Sequence, residues 1–446
     1  MNSGLMTLAG HRIRWHRQRV RFLVVVAAAF VLVPAASAWT PIPGAVDNTA
    51  EPSMLETNAG TLLVSFESHS ANTIAVARNH GTPKIVVAND PIVGRTQLVQ
   101  QPSGAIQLYY PNLQGVARLT STDDGQTWTG PIQTQSNRSS DVTGAAVAPD
   151  GTPYFVQEGT GYVIVWRGLN GEASNNVFTR CCGYAASIAI DTAGLVEVGF
   201  YSNADPDGTF LYEHLNPDLS VAGSTALKPT APHDDRVPLV ADRSGHMFTA
   251  WPPGYPTATG ISVVPFAGGT PAGDGITFRG TFGGTFSGSD PHAALAVDQQ
   301  DRLWAVWTAG GAVHVARSRS HGQHFGAVVS APVPSLVGTP YEVSAAPVSA
   351  GVGKIDVIVN NGSSLVEQTV LPGLSVRVSK TTKKVGKKTV VTWWGQALDD
   401  GFTVPHPTFK VGGRTVKGDG SGKAKLPAGR GVASAPGYVS ASFRIP

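Results

Sequence analysis

The 446-residue chain has only 14% charged residues and a formal net charge of +3, and it is rich in Gly (52) and Pro (32). Apart from one lysine-rich segment its basic residues are scattered and not interleaved with aromatic residues, which argues against a nucleic-acid-binding protein. Abundant Val, Thr and Ser together with frequent turn residues favour an all-β protein of many short strands. The chain is longer than one hydrophobic core usually organises, so we expect two domains or a repeat.

Residues 1–38 have the three parts of a secretory signal peptide. Five arginines precede an apolar run from Phe22 to Val33, and Ala36-Ser37-Ala38 supplies a small-residue cleavage site. A transmembrane anchor is the alternative, but the run is followed by Pro34 and is shorter than the roughly 20 residues of a spanning helix. We therefore predict cleavage after Ala38, secretion to the extracellular space, and no stable membrane insertion of the mature protein.

A repeated pattern of apolar strand, turn, second apolar strand and third hairpin strand runs through residues 45–372. Its clearest copies are LVADRSG at 239–245 and LAVDQQD at 295–301. Seven such turns fall at positions 60, 104, 151, 194, 245, 301 and 353, which are 43 to 56 residues apart. This spacing suits the four-stranded blades of a β-propeller, whereas ordinary sandwiches would not repeat one turn at a near-constant period. Seven blades are favoured, and six remain the alternative if one weak copy is not a blade.

The chain changes character after Leu371-Pro372-Gly373. Residues 374–446 contain short strands separated by Gly-rich turns, a pattern typical of a small immunoglobulin-like β-sandwich. This module also holds the lysine-rich segment, whose members are Lys380, Lys383, Lys384, Lys387 and Lys388.

One motif in the repeat region resembles a known family. The residues STDDGQTW at 121–128, with Ser121, Asp123, Gly125 and Trp128 at the key positions, are similar to the Asp box of sialidase-like propellers, also called the bacterial neuraminidase repeat. In such a box, Asp and Ser side chains bind backbone groups across a hairpin turn, Gly takes a conformation closed to other residues, and Trp packs beneath. The segment at 318–325 resembles a degraded copy. The tail resembles immunoglobulin-like modules appended to secreted bacterial enzymes and adhesins.

The resemblance implies a catalytic site of which this sequence lacks essential parts. A sialidase of this family is expected to have an early Arg-Ile-Pro, an acid/base Asp, two further arginines and a late Tyr nucleophile with a Glu. Ala50 stands where the first arginine should be, and no Asp occurs between Glu67 and Lys84. A literal Arg-Ile-Pro ends the chain at 444–446, but it closes the last strand of the tail module. We therefore expect no ordinary sialidase activity.

A propeller binds ligands where the first strand of each blade leaves the mouth of the central channel. The repeat places several ionisable or polar residues at this position; the candidate ligand-binding residues are Glu51, Arg95, Arg236 and His292, together with Tyr184. They form either a solvated rim or a ring for a polar ligand such as a sugar or an anionic group. Two arginines suit a carboxylate or phosphate, because a guanidinium can make two parallel bonds to it.

Two functions therefore stay open. The first is a non-catalytic secreted protein that binds a glycan or an anionic surface ligand. The alternative is an exo-acting, sialidase-like glycosidase with a rebuilt site, in which Tyr341, Glu342 and Asp235 are the catalytic candidates, since a tyrosine nucleophile needs a neighbouring carboxylate. We expect no metal site, no cofactor, no nucleic-acid partner, and a monomer.

Cys181 and Cys182 are the only cysteines and are adjacent in sequence. In an oxidising compartment they could form a disulfide within one peptide unit. Two buried thiols or an intermolecular bridge are the alternatives. A vicinal disulfide would present a stiff apolar edge to the channel mouth.

Overall fold

The computed structural model describes residues 38–45, 52–136, 142–159, 162–179, 183–231, 236–279, 292–334 and 341–446. Their regular structure consists of strands and turns, so the all-β prediction is confirmed. Within these ranges, no helix is long and apolar enough to cross a membrane. Except for Ala38, the predicted signal peptide lies outside the described residues.

The strands of the repeat region form antiparallel sheets whose members follow one another in the chain. The first strand, β1 (Thr40–Pro41), belongs to the last of these sheets. Sheet 1 consists of β2 (Ser53–Glu56), β3 (Leu62–Ser68), β4 (Thr73–Arg78) and β5 (Lys84–Ala88). Sheet 2 consists of β6 (Gln97–Gln100), β7 (Ile106–Asn112), β8 (Gly115–Ser121) and β9 (Thr129–Ser136). Sheet 3 consists of β10 (Val142–Val147), β11 (Pro153–Gly159), β12 (Tyr162–Arg167) and β13 (Ala173–Phe178).

Four further sheets continue the series. Sheet 4 consists of β14 (Gly183–Ile190), β15 (Val196–Ser202), β16 (Thr209–Leu215) and β17 (Val221–Leu227). Sheet 5 has five strands, β18 (Leu239–Ala241), β19 (Met247–Trp251), β20 (Gly260–Ala267), β21 (Thr270–Pro271) and β22 (Ile276–Arg279). Sheet 6 consists of β23 (Ala293–Val297), β24 (Leu303–Ala309), β25 (Ala312–Ser318) and β26 (Val329–Pro332). Sheet 7 consists of β27 (Tyr341–Val348), β28 (Lys354–Asn360), β29 (Leu365–Val370) and β1.

The turns between the first and second strands share one backbone geometry. At all seven positions that the sequence predicts, the residue has a positive φ, from +57° to +87°. Its N–H also donates to the carbonyl three residues earlier. Six of the seven are glycines, for which a left-handed backbone carries little strain, and the seventh is Asp301. The predicted turns are therefore confirmed one by one.

The sheets are arranged as a ring. The first strands contact one another in the order β2, β6, β10, β14, β18, β23 and β27, and β27 in turn contacts β2. Their inward-facing residues therefore surround a central channel, and the fold is a β-propeller. We call the face where the first strands begin the entry face, and the opposite face, where the predicted turns lie, the turn face.

The N-terminal strand closes the ring. β1 pairs antiparallel with β29, with Thr40 opposite Glu367, and Ile42 N–H donates to the Leu365 carbonyl at 3.0 Å. The Ile42 side chain is 4% exposed and packs in a cluster shared by sheets 7 and 1, which includes Phe66 and Ile358. Residues from the start of the propeller thus form the outermost strand of its last sheet.

The C-terminal module has two sheets. One consists of β30 (Ser375–Val385), β31 (Lys388–Asp399), β32 (Phe402–Thr403) and β35 (Lys423–Leu426). The other consists of β33 (Thr408–Val411), β34 (Arg414–Lys417), β36 (Gly429–Ser434) and β37 (Ala441–Ile445). Phe409, Leu426 and Ala433 belong to one buried cluster that draws on both sheets. The predicted boundary at 372–374 lies between β29 and β30, and the immunoglobulin-like arrangement stays a prediction.

Two adjacent aspartates of the module bind the turn face of sheet 6. The Asp399 carboxylate accepts a bond from the Arg317 guanidinium, and both side chains are almost completely buried. Asp400 Oδ2 accepts bonds from Arg319 N–H at 2.6 Å and from the Ser320 hydroxyl at 2.8 Å. Because removing one partner of a buried ion pair leaves an uncompensated charge, these contacts fix the module to the propeller.

Strands β30 and β31 extend beyond the rest of their sheet as a two-stranded ribbon. β35 pairs only with Trp393–Gln396, whereas β30 and β31 stay paired to their turn, with Val385 opposite Lys388. The ribbon carries the whole lysine-rich segment, and Val385 and Val390 are exposed on it. From Leu374 to Leu398 the sequence has six basic residues and no acidic residue.

The ring closure by β1 can be tested by truncating Ile42. Ile42→Ala should lower the free energy of unfolding by about 2–5 kcal/mol, because it leaves a cavity in the cluster that joins sheets 7 and 1. Urea denaturation followed by tryptophan fluorescence measures the loss. Ile85→Ala is the matched control, since Ile85 is 66% exposed and should change stability by less than about 0.5 kcal/mol. Equal effects of the two changes would contradict the closure.

A histidine at the same junction makes stability depend on pH. His80 of sheet 1 lies 3.1 Å from Glu367 and 3.6 Å from Asp356 of sheet 7, and the carboxylates of Asp356 and Glu367 raise the pKa of His80 to about 10. A raised folded-state pKa contributes stability that is complete below pH about 6.5 and is lost as pH rises through about 10. His80→Gln should therefore flatten the decline of unfolding free energy between these pH values, as measured by urea denaturation at a series of pH values. A slope unaltered by His80→Gln would contradict this role.

Candidate functional site

A cavity of about 240 Å³ lies where the first strands begin, at the entry face of the channel. Its wall comes from sheets distributed around the ring. The polar residues that line it are Ser53, Arg95, Thr96, Gln97, Ser187, Arg236, Glu342 and Ser344. The repeat thus brings together side chains that are up to 291 residues apart in sequence, from Ser53 to Ser344.

Arg95 and Glu342 form an ion pair across part of the cavity. Arg95 Nη2 donates to Glu342 Oε1 at 2.9 Å, and the side chains are 16% and 19% exposed. Arg95 comes just before the first strand of sheet 2, and Glu342 lies in the first strand of sheet 7. The pair therefore spans the position of sheet 1, which lies between them in the ring.

Arg236 reaches to a different side of the ring. It comes just before the first strand of sheet 5, and its Nη2 donates to the amide oxygen Oε1 of Gln97, the first residue of β6 in sheet 2. Sheets 2 and 5 are three positions apart in the ring, which is nearly opposite. Two guanidinium groups with partners on other sheets therefore enter one cavity.

The wall also contains a buried hydroxyl without a hydrogen-bond partner in the described part of the chain. Ser187 is 4% exposed and lines the cavity, and among the described residues its Oγ has no hydrogen-bond partner. Buried polar side chains usually have a partner, so an orphaned hydroxyl in a cavity wall indicates a position for an exogenous polar group.

Three first strands, β10, β14 and β27, begin with an irregularity at the entry face, and two of these contain a residue with a left-handed backbone. β27 has a bulge between Tyr341 and Val343, at which Glu342 has φ +44°, and β14 has one between Tyr184 and Ser187, at which Ala185 has φ +58°. A left-handed backbone at a residue other than glycine costs of order 1 kcal/mol and is found preferentially at functional sites. In sheet 7 the residue at the bulge is Glu342, whose carboxylate belongs to the site.

The other sequence-predicted site residues have different positions. Tyr184 packs with the cluster shared by sheets 4 and 5, and its ring lies 6.3 Å from that of Tyr201. His292 is 5% exposed, and its carbonyl accepts a bond from Thr308 N–H at 3.0 Å. Neither is among the residues that line the cavity. Tyr341 is the first residue of β27, opposite Asn360. Glu51, Asp235, Cys181 and Cys182 lie outside the described residues.

The motif at 121–128 forms the turn that its residues predict. The Ser121 hydroxyl accepts a bond from Gly125 N–H at 2.9 Å, and Asp123 Oδ1 accepts one from Thr127 N–H at 2.9 Å. Bonds from the Thr127 hydroxyl and N–H lower the pKa of Asp123 to about 2. Gly125 has φ +79°, and a Cβ there would lie 2.6 Å from a methyl group of Leu63. This turn is at the turn face, away from the cavity.

The second copy of the motif forms a similar turn with different side chains. Ser318 Oγ accepts a bond from Gly322 N–H at 3.0 Å, and Ser320 Oγ accepts one from His324 N–H at 3.0 Å. Ser320 thus takes the role that Asp123 has in the first copy. Asp400 of the C-terminal module supplies a carboxylate to this turn.

Fold and cavity together define a β-propeller with a polar channel mouth that contains two arginines. Comparison with known proteins adds distant likenesses only. A catalytically inactive form of virginiamycin B lyase from Staphylococcus aureus is 12% identical, with a TM-score of 0.48 over 75% of this chain and 98% of the lyase. The polysaccharide lyase Uly1 is 11% identical, with a TM-score of 0.44 over 74% and 90%. Prolyl oligopeptidase B from Galerina marginata is 10% identical, with a TM-score of 0.39 over 79% and 56%.

No family model and no curated protein matches the chain. The assignment to the sialidase-like family is therefore wrong: these similar solved structures are lyases and a peptidase, and no sialidase or Asp-box protein is among the matches. The physical reason is that the motif at 121–128 is a local hairpin device. Serine, aspartate and glycine at those spacings satisfy one turn, whatever the rest of the chain does.

Five polar residues of the cavity were not predicted from the sequence, namely Ser53, Thr96, Gln97, Ser187 and Ser344, and two of them matter most for the site. Gln97 and Ser187 are uncharged, whereas the prediction from the sequence was based on ionisable residues at one position of the repeat. Gln97 lies two residues after Arg95, and residues two apart on a strand share a face, so strand alternation could have found it. Ser187 follows a bulge in β14, which shifts the register, so alternation alone could not have placed it.

Proposed function

We propose that this protein is an exported, non-catalytic propeller that binds a small anionic group, such as the uronic acid end of a glycan, in the cavity at the entry face. The observation that carries the proposal is the entry of Arg95 and Arg236 into one cavity from different sides of the ring. Export rests on the signal-like residues 1–38, and a monomer is expected.

A ligand carboxylate is a stronger acceptor for Arg236 than the side-chain amide of Gln97. Arg236 donates to Gln97, whose amide oxygen is neutral. Charge-assisted bonds are about twice as strong as neutral ones, and a guanidinium can bind both oxygens of a carboxylate. An incoming anion can therefore compete with Gln97 for Arg236, because it gains the stronger bond.

The rest of the wall suits a hydroxylated ligand. Ser187 offers a hydroxyl that no described residue binds, and the cavity volume of about 240 Å³ is of the size of one small polar group or sugar ring. Glu342, held by Arg95, is an acceptor for ligand hydroxyls and repels a second anion nearby. These features favour one anionic group with hydroxyl groups around it.

The test uses oligogalacturonate as an anionic probe and its fully methyl-esterified form as the neutral counterpart. Arg236→Gln should weaken binding of the acid roughly 10- to 100-fold in isothermal titration calorimetry, since a hydrogen bond to a charged group is worth about 1.5–3 kcal/mol. Arg167→Gln is the matched control, because Arg167 lies in the third strand of sheet 3, away from the cavity. Equal affinity for acid and ester, or no effect of Arg236→Gln, would contradict the proposal.

Ser187→Ala separates a binding role from a structural one. Removing a hydroxyl without a protein partner should leave the free energy of unfolding unchanged or raise it by up to about 1 kcal/mol, whereas oligogalacturonate affinity should fall by roughly 2- to 10-fold. Thermal denaturation and calorimetry on the same sample measure both quantities. Unchanged affinity in a stable variant would show that the hydroxyl does not face the ligand.

A further inference from the structure

Three potential metal ligands meet at the turn face, far from the cavity. Asp242 lies in the turn of sheet 5, His246 four residues later, and His321 in the turn of sheet 6 that contains Ser318 and Ser320. Nδ1 of His246 and Nδ1 of His321 lie 3.1 and 2.9 Å from Asp242 Oδ2. The three ligand atoms all lie within 4.8 Å of one another.

The carboxylate of this cluster is held in a fixed orientation. Asp242 Oδ1 accepts bonds from Ser244 N–H at 2.8 Å and from His246 N–H at 2.9 Å, so that Oδ2 points to the two imidazoles. Burial raises the pKa of Asp242, but the bonds from His321 and His246 outweigh it, and the pKa is lowered. Asp242 therefore has one oxygen held by the backbone and the other directed at both rings.

The equivalent turn of sheet 6 has a different partner for its aspartate than the turn of sheet 5. Asp298 also accepts two backbone bonds on Oδ1, but its Oδ2 receives the Nε–H of Arg302, which occupies the place of His246, and the Nε1–H of Trp304. A permanent cation therefore fills that place in sheet 6. In sheet 5 the same place has two imidazoles, which bind either protons or a metal ion.

We propose that Asp242, His246 and His321 bind a divalent transition-metal ion of the Zn²⁺ type. Imidazole nitrogen and carboxylate oxygen are ordinary zinc ligands, with bonds of about 2.0–2.2 Å, so tetrahedral ligand atoms lie about 3.3 Å apart. The observed separations of 2.9 and 3.1 Å differ from this by a few tenths of an ångström. The two Nδ1 atoms lie within 4.8 Å of each other, so an ion can replace the two hydrogen bonds after side-chain movements of about an ångström or less.

Proton balance and access are also consistent with binding. Each Nδ1 that now donates to Asp242 must present a lone pair to the metal, so its proton moves to Nε2 or, from a charged ring, to solvent. The histidine side chains are 44% and 42% exposed, which leaves room for water as a fourth ligand. The ion would join sheet 5 to sheet 6, because Asp242 and His246 belong to one and His321 to the other.

The experiment uses the mature protein without an affinity tag, after removal of metals by a chelator. Addition of Co²⁺ should give the visible absorption of a tetrahedral site at a ratio of one ion per chain. Zn²⁺ at 100 times its Kd should displace Co²⁺ and raise Tm by roughly 3 °C. Absence of binding by folded protein at millimolar Co²⁺ and Zn²⁺ would overturn the proposal and leave a hydrogen-bonded junction only.

Variants locate the ion. His321→Ala and His246→Gln should each weaken Co²⁺ binding at least 10-fold and abolish the Zn²⁺-dependent rise in Tm. His324→Ala is the matched control, because His324 is exposed three residues from His321 in the same turn. Undiminished binding by both variants, folded as judged by circular dichroism, would place the ion elsewhere, for example at the two cysteines, and overturn the assignment.

Discussion

Closure of the ring by β1 is the constraint on which the rest of the structure depends. In the described residues each sheet covers its apolar faces mainly with the sheets next to it, as in the clusters shared by sheets 3 and 4 and by sheets 6 and 7. An open ring would expose one such face on sheet 1 and another on sheet 7. Pairing of β1 with β29, together with burial of Ile42, joins these two sheets through backbone hydrogen bonds as well as packing.

A closed ring determines what each face can do. At the entry face the first strands converge, so that single side chains from sheets 2, 5 and 7 meet in one cavity. At the turn face the connections radiate outward, and several of them bind a connection of the neighbouring sheet, as Asp124 of sheet 2 contacts Thr57 of sheet 1. His321 and Asp242 have the corresponding positions in sheets 6 and 5. The entry face therefore favours a shared ligand site, and the turn face favours pairwise junctions.

The sequence predicted the local features well because their causes are local. A glycine or aspartate at a left-handed position, with apolar strands on both sides, is enough to place the turns at Gly104 or Asp301. Contacts between distant segments could not be predicted in this way. The bond from Arg236 to Gln97 depends on the width of the channel, and the bond from Asp400 to Ser320 depends on how the module packs. His292 was predicted from its repeat position, and Tyr184 lies next to that position in the fourth repeat, but bulges and burial decide which side chains reach the cavity.

The ribbon formed by β30 and β31 gives the molecule a strong electrical asymmetry. With six positive charges and no negative one between Leu374 and Leu398, in a chain of net charge +3, the remainder of the chain is net negative. The positive pole is on an arm that projects from the module, and the module is fixed to the turn face through Asp399 and Asp400. An anionic surface attracts the positive ribbon and repels the net negative remainder of the chain. The molecule therefore orients with the ribbon toward the surface once it is within a Debye length, which is about 8 Å at physiological ionic strength. The lysine-rich end of the ribbon, and not the propeller, would then be the part of the molecule nearest to that surface.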